Sequence, residues 1–257
     1  MILLEGPLAN AGLSALVALV TVGLTEFLIR NRRQSDFHRQ AFQQLFSPFL
    51  PRIVQWFETE TAFRRDHDVS DRISLSELGE EYLTHVRSAL AYADAPLFED
   101  FQQLQVSIHF SDFSGYMRQY QFVRSFSQFI DSMLHSSKYS RMLSRTQARR
   151  YRSLSRQLRL WHVIARSAGG AGAANAVFMW KWRIDLDLLD GRVYSKVERM
   201  LDSPNSDILK AVRLLTSDAE VLSNIGWHVK HQNETRKEAT EPEGPSPHMD
   251  VDANRET

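Results

Sequence analysis

Apolar residues follow two kinds of pattern along this chain of 257 residues. The first is a block. From Gly6 to Thr25, 20 residues pass without a charge and are rich in Leu, Val and Ala. At about 1.5 Å per helical residue, this run predicts a helix able to cross a hydrocarbon core of about 30 Å. The second kind is periodic. Phe37, Ala41, Phe42 and Leu45 carry a helical stripe onward until Ser47 and Pro48, where the proline, having no N–H to donate, predicts a stop.

Pro48 and Pro51 mark a turn, and a short aromatic segment follows from Ile53 to Phe63. Ser74 and Glu77 have the spacing of a capping box, with Leu75, Leu78, Tyr82, Val86 and Leu90 on one helical face behind them. Asp94 and Pro96 predict the cap and first turn of a helix carrying Leu97, Phe101, Leu104 and Ile108. Asp112 would start the next, with Phe113, Tyr116, Tyr120, Val123, Ile130 and Leu134. A long helix over about 146–166 shows Tyr151, Leu154, Leu158, Trp161 and Ala165, and ends in Gly169, Gly170 and Gly172. Two or three more follow, broken at Gly191 and Ser203-Pro204, with 208–229 as the last.

No run alternates with the period of two that a half-buried strand requires, and Asp190-Gly191 lies between helical patterns rather than between strands. The expected fold class is therefore all-α, with an N-terminal single transmembrane helix, a multi-helix bundle and a disordered C-terminal tail. The expected divisions are an anchor over 1–34, a cytoplasmic helical domain over 35–230 and a polar tail over 231–257. In the tail Glu, Pro, Thr, Asn and Ser replace the apolar pattern. The apolar run from Ala168 to Trp180 is 13 residues long, too short for a second crossing, and predicts a tight helix contact or an interfacial piece.

The order of charges around the first run sets its expected direction. A signal peptide has positive charge before its apolar run and small residues at a cleavage site after it. Here the charge before the run is Glu5, and Arg30, Arg32 and Arg33 come behind it. These arginines are the topology-determining residues: they predict a single-pass protein of the plasma (inner) membrane, N-terminus outside and C-terminal domain cytoplasmic. Glu26 stands one turn before Arg30, at pairing distance on a helix. Ala11, Ser14, Ala15 and Ala18 supply small residues at the spacing that lets membrane helices approach one another.

Composition narrows the classes. Hydrophobic residues make up 43% and aromatics 11%, enough apolar surface for a packed body. The formal net charge is zero, which excludes a globally basic nucleic-acid binder but not a local patch. Absence of cysteine removes disulfides, thiolate zinc sites and cysteine nucleophiles.

Charge is unevenly spread. Between Asp131 and Asp185 there are eleven basic residues and no acid, whereas 58–100 holds eleven acids against four arginines. Two opposed blocks of this kind either neutralise each other across a bundle or leave a basic face open. The candidate anion- or partner-binding residues are Arg141, Arg145, Arg149, Arg152, Arg156 and Arg159. Near a bilayer they would attract anionic lipid, with Tyr151, Trp161 and Trp180 or Trp182 at headgroup level. Arginines with aromatic neighbours also suit single-stranded nucleic acid.

Signatures of chemistry are sparse. The Gly169 to Gly172 cluster lacks the Lys-Ser/Thr of a phosphate loop. Glu81 with His85, and His109 with Asp112, fall short of the three or four converging ligands that zinc takes. The HEPN ribonucleases, which this chain resembles in being all-α, use an arginine and a histidine at the spacing found at Arg32 and Arg33 with His38 and at Arg156 with His162. An arginine-rich chain meets that spacing by chance. No catalytic residue, cofactor or metal is expected. The sequence points to a membrane-anchored interaction or scaffold module with a basic helix face, taking a protein partner or a second copy of itself. The alternatives are a membrane-tethered RNA-binding or RNA-cleaving protein that uses His162, and a structural subunit of a larger membrane complex.

Overall fold

The computed structural model describes residues 7–62, 73–109, 115–135, 139, 142–184, 191–202 and 207–240. All elements among the described residues are helical. They are α1 (Pro7–Ala41), α2 (Leu50–Glu60), α3 (Leu75–Ser88), α4 (Ala95–His109), α5 (Gly115–His135), α6 (Arg145–Ala168), α7 (Ala171–Met179), α8 (Lys181–Ile184), α9 (Gly191–Leu201), α10 (Ile208–Val212) and α11 (Ala219–Thr240).

α1 forms over the predicted apolar run and continues without a break into the body. Among the described residues no helix is long and apolar enough to cross a membrane. The predicted anchor thus gains no support there, and the side chains of 7–18, which make up most of the predicted span, lie outside the described residues. So do Arg141 and the Asp112 helix start.

The chain forms two compact units. The first comprises 1–56, 73–110 and 125–155. Its core is aromatic: Phe49 meets Tyr82 at 5.5 Å between ring centroids, Tyr82 meets Phe126 at 5.2 Å, and Phe46 meets Phe129 at 5.0 Å. Burial and the carboxylate of Asp100 hold the Tyr82 phenol protonated, with its pKa well above the usual value.

α1 passes into α2 through a wide π turn over Phe42–Phe46. Pro48 has no N–H to continue the ladder, and Phe49 N–H bonds back to the Phe46 carbonyl at 3.3 Å. The Leu45 carbonyl accepts instead from His85 Nε2 at 2.7 Å. Glu81, one turn before, takes the Arg52 guanidinium at 2.7 Å. Both members of the Glu81/His85 pair thus have structural roles.

The Ser74–Glu77 capping box closes as predicted, at 3.1 Å and 3.3 Å for its two bonds. Asp94 likewise caps α4 through Leu97 N–H at 3.1 Å.

The second unit comprises 57–72, 111–124 and 156–257. α7 lies fully inside it and packs on α11. Its Ala173, Ala174, Ala176 and Val177 are buried, and such small side chains let two helix backbones come close. The predicted 13-residue apolar run is therefore a tight helix contact. Asn175, polar and buried among these, accepts from Trp161 Nε1 at 2.8 Å and donates to Glu60 Oε1 at 2.7 Å.

α6 ends at Gly169, whose φ of 73° is a left-handed value that glycine adopts without strain. Gly170 N–H then closes on the Ala165 carbonyl at 2.9 Å. The predicted helix over 208–229 is divided: α10 stops after Val212, and Asp218 caps α11 through Glu220 N–H at 3.0 Å and Val221 N–H at 3.2 Å. α11 continues to Thr240, past the predicted start of the tail at His231.

Candidate anion-binding face

α6 positions the basic block. At 100° per residue, Arg145, Arg149, Arg152, Arg156 and Arg159 fall within one arc of about 80°, opposite the buried Leu154 and Leu158. The helix opens on a second, reciprocal cap: Gln147 N–H donates to Ser144 Oγ at 3.1 Å, and Ser144 N–H to Gln147 Oε1 at 2.9 Å. In the first unit Ser155 Oγ donates to Asp131 Oδ1 at 2.6 Å and Ser127 Oγ lies 3.2 Å from it, fixing the inner face of α6.

The arc divides by electrostatic environment. Towards its C-terminal end, within the second unit, charge is matched. Arg159 lies 3.9 Å from Glu198, and Arg166 pairs with Asp202. Lys181 reaches Glu58 at 2.6 Å, and Arg183 reaches Glu220 at 2.6 Å and Asp218 at 3.4 Å. Arg183 also lies 5.0 Å above the Trp180 ring. Its hydrogen bond to Glu220, with the charges of Glu220 and Asp218 behind it, raises its pKa. The Arg156 guanidinium lies against Gly191, where an added Cβ would fall 2.9 Å from Nη2 and would make the flexible end of Arg156 move aside.

In the first unit the first two turns of α6 differ. Arg145, Arg149, Arg150 and Arg152 are exposed. Among the described residues none of the four has an ion-pair partner. No acid lies in the first turn. Like charges one turn apart on a helix cost roughly 0.2–0.5 kcal/mol per pair, and cations at a helix N-terminus oppose its dipole. The four guanidiniums form a donor surface whose charge no acid among the described residues pairs with.

Described members of the acidic block serve several purposes: Glu77 and Asp94 cap helices, Glu81 holds Arg52, and Glu58 meets the basic block through Lys181.

Arg30, Arg32 and Arg33 are exposed on α1, and no ion pair joins Glu26 to Arg30 among the described residues. Upstream of them is a feature that extends past the uncharged run. Leu19, Val20, Val22, Leu24, Phe27, Leu28 and Ile29 are between 47% and 74% exposed. On the helical wheel they occupy all sides of α1, with Leu19, Val22 and Ile29 opposite Val20, Leu24, Phe27 and Leu28. The Thr25 hydroxyl donates to the Thr21 carbonyl at 2.7 Å, satisfied within the helix.

Of the aromatic residues expected at headgroup level, Tyr151 and Trp180 are half-buried, and the side chain of Trp182 lies outside the described residues. Trp161 is 1% exposed, and Trp180 donates to Asn224 at 3.4 Å. His162 is also in the core, 4% exposed, with its Nδ1–H donating to the Tyr120 carbonyl at 2.8 Å. Burial lowers its pKa to about 4, aided by Arg166 and Arg124 and opposed by the Tyr120 bond and Asp202. A neutral imidazole enclosed in this way does not reach a polyanion lying on the arginines.

Sequence reasoning missed the clasp at the foot of α1, where the His38 ring lies 5.4 Å from Tyr139, and Tyr139 lies 5.2 Å from Phe46. Burial, followed by the charge of Asp94, raises the Tyr139 pKa. Nothing local in the sequence joins residues a hundred positions apart. No group of residues able to hold a metal ion occurs among the described residues. No family model matches the chain, and no curated protein or solved structure matches it either.

Proposed function

We propose that the chain is a membrane-anchored helical interaction module: α1 enters the bilayer, and the body offers the arginine face of α6 to an anionic partner on the cytoplasmic side. The observation that carries this reading is the exposed apolar segment of α1 from Leu19 to Ile29. A helix apolar on all sides belongs in a protein core or in lipid, and each of these side chains is exposed. Continuation of the uncharged sequence back to Gly6 supports lipid, as does the internally bonded Thr25 hydroxyl, which needs no water. Arg30, Arg32 and Arg33 then stand where basic residues fix a cytoplasmic side.

The test is carbonate extraction of membranes from cells expressing the full chain, beside a variant carrying Leu24→Arg and Leu28→Arg. Each arginine opposes insertion by up to about 3 kcal/mol at the centre of a membrane helix. The full chain is expected in the pellet and the variant in the supernatant. A full chain released by carbonate would refute the anchor. Retention in a complex far above the monomer mass would instead favour the structural-subunit alternative.

A further inference from the structure

We infer that Arg145, Arg149, Arg150 and Arg152 bind the phosphate groups of anionic lipids in the same bilayer that α1 enters. This inference rests on the membrane reading above, and it names the anion.

The first argument is the unoffset charge. Four exposed guanidiniums occupy two turns of helix, with no ion-pair partner among the described residues and no acid in the first turn. A phosphate accepts two parallel N–H bonds from a guanidinium, a geometry that a compact ammonium cannot reproduce. Each basic side chain near an anionic surface multiplies binding about fivefold.

The second argument is position within the first unit. The connection into α6 is held to α1 at His38 through Tyr139. His38 is nine residues beyond Ile29, a rise of about 14 Å along the helix. From Tyr139 to Arg145 the chain spans six residues, at most about 21 Å fully extended. These lengths bound the distance from Ile29 to Arg145 at roughly 40 Å, and Arg30, Arg32 and Arg33 follow Ile29 on α1. Two exposed basic groups belong to one unit, and spread charge of this kind suits a surface better than a point ligand.

The third argument concerns what is missing for the rival anion. Binding of single strands relies on exposed aromatic rings on which bases stack. Trp161 is buried, and Tyr151, the aromatic residue among these arginines, is half-buried. Among the described residues of this stretch of α6 no fully exposed ring offers a stacking platform, which favours lipid headgroups over bases.

The full chain contains no cysteine, so one introduced at the exposed Thr146 takes a fluorophore specifically. The labelled chain is reconstituted in vesicles of phosphatidylcholine alone, or with three-tenths phosphatidylserine, containing a headgroup-attached quencher. Flotation reads insertion and quenching reads the approach of α6. The expected result is flotation with both vesicles, and quenching that is strong only with phosphatidylserine and fades as salt rises.

Arg145→Gln, Arg149→Gln and Arg152→Gln together should lower the ratio of near to distant states on the order of a hundredfold. The corresponding lysine triple keeps the charge but not the paired N–H geometry and should fall between wild type and the glutamine triple, with circular dichroism confirming the helix content of both triples. Flotation with equal, lipid-independent quenching would overturn the inference while leaving the anchor intact. Flotation with phosphatidylserine vesicles alone would support the arginine face and overturn the anchor. Arginine-dependent binding of a single-stranded RNA oligonucleotide without any lipid response would overturn the inference in favour of nucleic acid.

Discussion

Replacing His162 by Asn tests how a buried imidazole ties the stability of the second unit to pH. The folded pKa is about 4 against an ordinary 6.5, burial being the main cause. The unfolded chain thus binds the proton more readily than the folded one. The sign follows: as pH falls below 6.5 stability is lost, and the loss levels off only near the folded pKa of about 4. At about 1.4 kcal/mol per pKa unit, a depression of roughly 2.5 units makes the full loss about 3 kcal/mol.

Asparagine places an N–H near where His Nδ1 stood, so the bond to the Tyr120 carbonyl can persist, but it does not titrate. The variant loses ring volume and should be less stable at neutral pH by roughly 1–2 kcal/mol. The assay is urea unfolding of the detergent-solubilised full chain at intervals from pH 7 to pH 4, followed by tryptophan fluorescence. Trp161 reports locally, 5.5 Å from Tyr120. Wild-type stability should fall more steeply than that of the variant, so that the two curves converge or cross before pH 4. Other histidines and carboxylates titrate in both proteins and cancel in the difference. Parallel curves would refute the argument, since they would mean that His162 ionises as easily in the fold as out of it.

Two further substitutions test the packing. Asn175→Ala breaks the bonds to both Trp161 and Glu60 inside the second unit, and should cost roughly 2–3 kcal/mol in the same unfolding assay; a loss below about 0.5 kcal/mol would show that the network contributes little. Ser144→Ala removes the cap of α6 and should cost about 1 kcal/mol, with faster amide exchange confined to the first turn; unchanged exchange there would show that the cap does not hold the helix end.

Local signals were legible in the sequence wherever the physics is local. Ser74 with Glu77, Asp94 ahead of α4 and Gly169 after α6 all act on backbone groups within a turn, so spacing suffices to read them. The Ser144–Gln147 cap had the same kind of signature, and the helix start placed at Thr146 passed over it. The break before α11 was also written locally, in Thr216-Ser217-Asp218, but the apolar periodicity on either side concealed it. The last turns of α11 offered no such help. An ion pair such as Lys230 with Glu234 at 3.9 Å is a weak support.

The candidate face shows the opposite limit. The surplus of arginine was plain, but which arginines meet an acid depends on Glu198, Asp202 and Glu220, which come from elements far along the chain. Trp161 and His162 have the residue types of a surface site, and the close packing around α6 encloses both. Phe27 to Ile29 were separated from the apolar run by Glu26, and their exposure on α1 joins them to it.

The path of α1 has a mechanical consequence. The helix runs unbroken from its exposed apolar segment to Ala41, which is wholly buried, and it passes into the rest of the first unit through the wide π turn rather than a slack tether. Rotation of α1 about its own axis therefore turns that unit with it, as a key turns with its shank. Each residue inserted or deleted between Ile29 and Ala41 would swing the first unit by about 100°, so the number of residues in this stem sets the compass bearing of everything mounted on it.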